Sequence, residues 1–206
     1  MKLSAVILAG GESKRMGRDK AWVEENRVPL IVRAVATVRH AGVEDIFISG
    51  RPGVDYSALG LPVLYDRQAG LGPLAGIERA LHETRLPLLL VLAVDLARMT
   101  PACLKSLAGR CDDLTGAVPE LNGQLEPLAA IYPRRCLAIA ASLLQQSRQV
   151  AREFAEACHR EQAVRCVPVP FDSISAACFA NWNSPSDLPA THLRPTRDVD
   201  VTEPAT

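Results

Sequence analysis

The sequence predicts an α/β fold: a mostly parallel sheet covered by helices on both faces. Three observations lead there. Short apolar stretches alternate with amphipathic helical ones, a glycine-rich loop follows the first of them, and an aspartate closes the most apolar one. Strands that are hydrophobic along their whole length belong in a sheet buried on both sides, and the ligands of such sheets gather beyond the carboxyl ends of the strands.

Residues 3 to 8 (LSAVIL) read as the first strand. Over 29 to 41, Leu30, Ile31, Ala34, Val35 and Val38 fall on one stripe, so a helix follows. Strands are expected at 44 to 49 (EDIFIS) and 61 to 66 (LPVLYD), a helix at 73 to 84 (PLAGIERALHET), and a buried strand in LPLLLVLAV, 86 to 94, stopped by Asp95. Thr100-Pro101 offers an N-cap hydroxyl and a first-turn proline, which places a helix over 101 to 109. In TGAVPELNGQLEPLAAIY two apolar stretches flank Asn122-Gly123, a dipeptide suited to tight hairpins, so a small antiparallel hairpin is expected near 115 to 131. One long helix over 134 to 158, a short strand at 163 to 168 and a last helix at about 185 to 190, opened by Ser184-Pro185, complete the order. The tail from Thr191 to Thr206 is expected to be loose.

The chain has 206 residues, enough for one good-sized core and too few for two large domains. A single domain over 1 to 190 is expected. Its 23 basic and 23 acidic residues cancel, so no global field draws it to nucleic acid or to a membrane, and any basic site must be local. No apolar run reaches the roughly 18 residues of a membrane span, and the N-terminus reads as a strand rather than an export signal. Cys103, Cys111, Cys136, Cys158, Cys166 and Cys178 form no CxxC pairs and do not cluster with the four histidines. They are expected to be reduced thiols of a cytoplasmic protein, without a metal or disulfide role.

The stretch VILAGGESKRMGRDK, residues 6 to 20, carries the chemistry. Gly10-Gly11 turns the backbone at the strand end without a Cβ in the way, its amides point outward, and Lys14, Arg15, Arg18 and Lys20 follow. An amide nest beside cations suits a polyphosphate; the competing explanation is a solvated basic loop. It is neither a P-loop nor a G-x-G-x-x-G fingerprint. Asp95, at the end of a buried strand, needs compensation, which a divalent cation supplies as readily as a salt bridge or helix cap does. Asp66 before its loop is either a turn former or a nucleotide contact. Asn181 and Asn183, two residues apart on an extended segment, face the same way and reach a phosphate or a cation, or else cap the helix after Ser184.

Residues 8 to 20, Leu8-Ala9-Gly10-Gly11-Glu12-Ser13-Lys14-Arg15-Met16-Gly17-Arg18-Asp19-Lys20, closely resemble the nucleotidyltransferase signature LAxGxSxRMGxxK. Gly10-Gly11 together with Asp19-Lys20 is similar to the molybdenum cofactor guanylyltransferases, whereas the related cytidylyltransferases usually carry alanine before the second glycine. The resemblance implies a Rossmann-like three-layer α/β/α nucleotidyltransferase fold, with about 1 to 100 as the nucleotide half and about 101 to 190 as the acceptor half. It implies that Leu8, Ala9, Gly10 and Gly11 lie against the nucleotide, that Arg15 and Lys20 hold the triphosphate, and that Asp95 is the magnesium ligand. Arg15, Lys20 and Asp95 would then be catalytic, Ser49 and Asp66 further nucleotide contacts, and Asn181 and Asn183 acceptor contacts. Two departures stand out: serine at 49, where the family often has asparagine, and Asp95-Leu96-Ala97, which lacks the proline usual after the aspartate. The implied reaction joins GMP from GTP to molybdopterin, or its molybdenum-loaded form, and releases pyrophosphate. Molybdenum-cofactor carrier or insertion proteins are the implied partners. A cytidylyltransferase, a sugar-phosphate nucleotidyltransferase and a non-catalytic nucleotide-binding homologue remain as alternatives.

Overall fold

The structure, a computed structural model, describes residues 2–10, 19–66, 70–169 and 177–179. Gly11, Arg15, Asn181, Asn183, the helix expected at 185 to 190 and the tail lie outside the described residues.

The central strand β1 (Leu3–Leu8) pairs in parallel with β4 (Asp45–Gly50) on one side and β6 (Leu88–Ala93) on the other. Its residues divide by parity, as a pleated strand requires. Ala5 and Ile7 enter the core under α1 (Leu30–His40) and α3 (Pro101–Ala108), while Val6 and Leu8 enter the core under α2 (Gly72–Glu83), α4 (Leu137–Gln145) and α5 (Ala151–Arg160). β6 divides likewise, with Leu88, Leu90 and Leu92 on one face and Leu89 and Val91 on the other. Burial on both faces is why these strands read as unbroken apolar runs.

A two-stranded ribbon, β2 (Glu24–Glu25) with β3 (Val28–Pro29), leads into α1. Beyond β4 lies β5 (Val63–Tyr65), and the main sheet runs β10-β7-β9-β6-β1-β4-β5. The chain therefore moves outward from β1 through α1 to β4 and β5, then returns through α2, on the other face, to β6 beside β1. This reversal makes the β1/β6 boundary a topological switch point, where sheets of this kind open a crevice at their carboxyl ends.

In the carboxyl-terminal half the antiparallel pair expected near 115 to 131 is present, with Ala117 opposite Ile131, and one departure follows it. The Asn122-Gly123 turn forms, with both φ angles positive at 53° and 73°, and joins β7 (Gly116–Leu121) to a two-residue β8 (Gln124–Leu125). The residues after it continue into a separate strand, β9 (Ala129–Pro133), inserted antiparallel between β6 and β7. The single helix expected over 134 to 158 is two. α4 stops where Ser147 takes a left-handed φ of 59° and Arg148 N–H reaches back to the Leu143 carbonyl at 2.9 Å. That 6→1 bond is a helix stop usually signalled by glycine, and no glycine stands there. α5 then starts afresh, and β10 (Val164–Pro168) pairs in parallel with β7, as a short strand at 163 to 168 anticipated.

At the amino-terminal end of the central strands a small polar cluster closes on itself. Ser4 Oγ donates to Asp45 Oδ2 at 2.5 Å and bonds Thr84 Oγ1 at 2.6 Å, and Thr84 Oγ1 accepts the Leu86 N–H at 3.2 Å. Ser4 and Thr84 are fully buried. Among the described residues no helix is long and apolar enough to cross a membrane.

Candidate active site

At the carboxyl end of β1 the backbone passes between its two neighbours. Ala9 N–H donates to the Ser49 carbonyl at 2.9 Å, and Val94 N–H donates to the Leu8 carbonyl at 3.1 Å. Leu8 and Ala9 are thereby fixed as the floor of the switch-point crevice, and Gly10 emerges exposed at its edge. Among the described residues, the nearest atoms a Cβ on Gly10 would meet are backbone atoms of Gly50 and Ser49, at ordinary contact distances of 3.6 to 3.8 Å.

Lys20 and Asp95, 75 residues apart, meet across this crevice: Lys20 Nζ donates to Asp95 Oδ2 at 3.1 Å. Each side chain stays partly exposed, at 19% and 27%. Asp95 sits two residues beyond the end of β6, in a turn closed by Leu96 N–H on the Ala93 carbonyl at 3.2 Å. A second turn follows, Met99 N–H on the Leu96 carbonyl at 3.0 Å, so the segment turns twice without the proline the signature family usually has. Leu96 and Met99 anchor it in the core.

Lys20 opens a single 3-10 turn, Lys20–Trp22, and Asp19 is its cap: Asp19 Oδ1 accepts the Ala21 N–H at 2.9 Å. Asp19 Oδ2 takes the Arg51 Nε–H at 2.8 Å. Arg51 escaped the reading of the sequence. Its only signal is an arginine one residue past an apolar strand, directly after Gly50.

Asp66 follows β5 and is half-buried. Among the described residues its Oδ1 is buried without a hydrogen-bond partner. Burial first, and the nearby Glu78 charge second, raise this carboxyl above its ordinary value. The loop after it re-enters α2 through Gly70 and Gly72, both left-handed at φ 82° and 68°, a conformation that glycine adopts without strain. Ser49 is placed differently from Asp66. It is 4% exposed and its hydroxyl lies under Gly76 of α2, so close that a Cβ there would stand 2.4 Å from it. What Ser49 presents along the strand is its carbonyl, already taken by Ala9.

The structure thus brings Leu8, Ala9, Gly10, Lys20 and Asp95 to one crevice. Among the described residues no group of three histidine, cysteine, aspartate or glutamate side chains is arranged to hold a metal ion. The cysteines are thiols, with Cys136 and Cys158 buried and Cys103 Sγ standing 2.8 Å from Cys178 Sγ. A shallow groove of about 450 Å³ lies elsewhere, on α4 and α5, lined by Ile139, Leu143 and the arginines 135, 148 and 160.

Residues 5–165 match the model of the MobA-like NTP transferase domain. The "Probable molybdenum cofactor guanylyltransferase" of Opitutus terrae is 36% identical over 188 residues, 90% of this chain and 92% of that one. The "Molybdenum cofactor guanylyltransferase" of Rhodobacter capsulatus is 35% identical over 195 residues, 91% of this chain and 94% of its own length. Among solved structures, the molybdopterin-guanine dinucleotide biosynthesis protein A of Archaeoglobus fulgidus superposes with a TM-score of 0.68 at 22% identity, covering 89% of this chain and 94% of that one.

Proposed function

The chain belongs to the MobA-like NTP transferase family, and from that premise we propose that it is a molybdenum cofactor guanylyltransferase, which joins GMP from GTP to molybdopterin and releases pyrophosphate. The observation that carries this reading is the Lys20–Asp95 pair at the switch point, a cation and a carboxylate held 3.1 Å apart. Each compensates the other until a nucleotide arrives. The ammonium would then pair with the triphosphate, leaving the Asp95 carboxylate to hold a divalent cation.

Magnesium suits the residues present. It is commonly held by one or two carboxylates together with substrate phosphates, and Asp95 offers one partly exposed carboxylate beside the position of the triphosphate. When bound, the cation neutralises charge on phosphate oxygens. Asp66, with its unpartnered oxygen, accepts a hydrogen bond from the nucleotide. Arg15 adds charge to the triphosphate, Gly11 extends the backbone cradle, and Asn181 and Asn183 face the acceptor. Ser49 supports the strand end by accepting the Ala9 N–H.

The terminal phosphate of molybdopterin is anionic at neutral pH, so it attacks the α-phosphorus without a general base on the protein. One bond forms between that phosphate oxygen and the α-phosphorus, and the bond from the α-phosphorus to the β-bridging oxygen breaks. Pyrophosphate departs with the bonding electrons, stabilised by Lys20. No side chain becomes covalently attached. Residues 1 to 100 bind the nucleotide and residues 101 to 190 the acceptor. Reaction in the cytoplasm and delivery of the product to cofactor carrier or insertion proteins complete the proposal.

The test supplies the protein with magnesium, molybdopterin and each of the four nucleoside triphosphates in turn, measures pyrophosphate, and weighs the product. GTP-dependent release with a product of the mass of molybdopterin guanine dinucleotide is expected. Preference for CTP would move the protein to the cytidylyltransferases, and binding without pyrophosphate release would make it a non-catalytic homologue.

A further inference from the structure

The Lys20 turn is held from both ends by one segment of chain, residues 49 to 56. At its start, Asp19 uses both carboxylate oxygens, one on the Ala21 N–H at 2.9 Å and one on Arg51 Nε at 2.8 Å. The Asp19 side chain is only 9% exposed, while Arg51 is 36% exposed. A carboxylate so enclosed depends on its partner to stay in place. At the turn's end, Trp22 stacks on Tyr56, with ring centroids 6.4 Å apart and planes at 26°. The Tyr56 ring in turn occupies space that exists only because residue 50 is glycine: a Cβ there would stand 2.6 Å from its Cε2. Gly50 and Arg51 therefore do linked jobs, one making room for the ring and the other fixing the cap.

We propose that Arg51 is a positioning residue that acts through Asp19 to aim Lys20 at Asp95 and, in the reaction, at the triphosphate. The inference rests on the reading of the crevice as a nucleotide site, but concerns residues outside that reading. A single 3-10 turn has too few backbone bonds to hold a direction by itself. Without Arg51 the buried Asp19 carboxylate loses its counter-charge, the cap loosens, and the Lys20 ammonium no longer has a fixed position. Misplacing one charge in a transition state by about an ångström costs up to roughly a hundredfold in rate.

The experiment is a double-mutant cycle on the full chain, read as pyrophosphate release and as magnesium–GTP affinity by calorimetry. Arg51→Ala is expected to lower kcat by roughly tenfold to a hundredfold, with a much smaller change in KM for GTP. In a Lys20→Ala background the same substitution should cost almost nothing further, because the residue it aims is gone. Arg51→Lys, which keeps the charge but not the Nε geometry, should recover part of the loss, and Asp19→Asn should reproduce Arg51→Ala. A thermal transition within a few degrees of wild type shows that each variant has folded. Equal costs of Arg51→Ala in the two backgrounds would overturn the proposal, as would a loss confined to KM, since either would make Arg51 a direct ligand contact or a general structural prop. If instead the wild-type chain neither binds GTP nor releases pyrophosphate, the functional reading fails by itself, and the outcome is recognisably different.

Discussion

The two ends of the central strands treat their polar groups in opposite ways. At the amino-terminal end, Ser4, Thr84 and Asp45 satisfy one another in a closed cluster whose two hydroxyl residues are fully buried. At the carboxyl-terminal end, Asp66 keeps an unpartnered oxygen, and Lys20 and Asp95 form a pair that solvent still reaches. The difference teaches how to separate structural from functional polarity in one sheet. Groups that complete each other stabilise the fold, whereas the groups left incomplete are the ones proposed to take a ligand. The fold tolerates the second kind because the first kind, and two apolar cores, hold the sheet from the other side.

Five substitutions break or sharpen that contrast. Lys20→Ala and Asp95→Ala should each lower turnover by at least about a hundredfold, the scale of removing a preorganised charge from a transition state, while the denaturation midpoint shifts little. Near-wild-type turnover in either would erase the functional side of the comparison.

Asp66→Asn should raise KM for GTP roughly tenfold, the loss of one hydrogen bond to a charged group. It should also change how stability depends on pH. Because the folded protein raises this carboxyl, it binds a proton more tightly than the unfolded chain does. Its contribution to stability is therefore fully present below the ordinary carboxylate value and is lost as pH climbs through the raised one. The asparagine variant lacks that loss, so it should gain on wild type as pH rises through this range. Parallel stability–pH curves for the two proteins would contradict the assignment.

Ser4→Ala belongs to the other end and should show the reverse profile. Thr84 would lose its buried partner, at a cost of about 1–3 kcal/mol in the denaturant midpoint, with kcat and KM unchanged. Tyr56→Phe should have the smallest effect, within about 0.5 kcal/mol and with no change in turnover. Tyr56 is 2% exposed and its hydroxyl lies close to the Arg51 backbone. A large loss of activity there would show that a polar group sealed from solvent can also mark a ligand site.

Much of the amino-terminal half was legible in the sequence because its strands are buried on both faces and its helices carry one apolar stripe each. β1, α1, β4, α2, β6 and α3 all stand within a few residues of their expected positions. The carboxyl-terminal half was less legible for two physical reasons. β9 owes its second neighbour, β6, to a strand far away in the chain, which local pattern does not reveal, and the break after α4 uses a left-handed Ser147 where glycine would have given warning. The crevice divides the same way. Lys20 and Asp95 were readable as separate chemical types, but their meeting depends on sheet order. The buried side chain of Ser49 follows from strand register, since it pairs with Leu8 and shares its face. Arg51 was missed because a lone arginine after a strand has no pattern of its own.

Hydrogen–deuterium exchange of the full chain, with and without magnesium and GTP, tests the contrast between the two ends most directly. The account predicts slower exchange over residues 94 to 99 and around Asp66, at the carboxyl ends of the strands, with 84 to 88 and 134 to 146 unchanged. Protection confined to the groove on α4 and α5, with the strand ends exchanging as before, would contradict it.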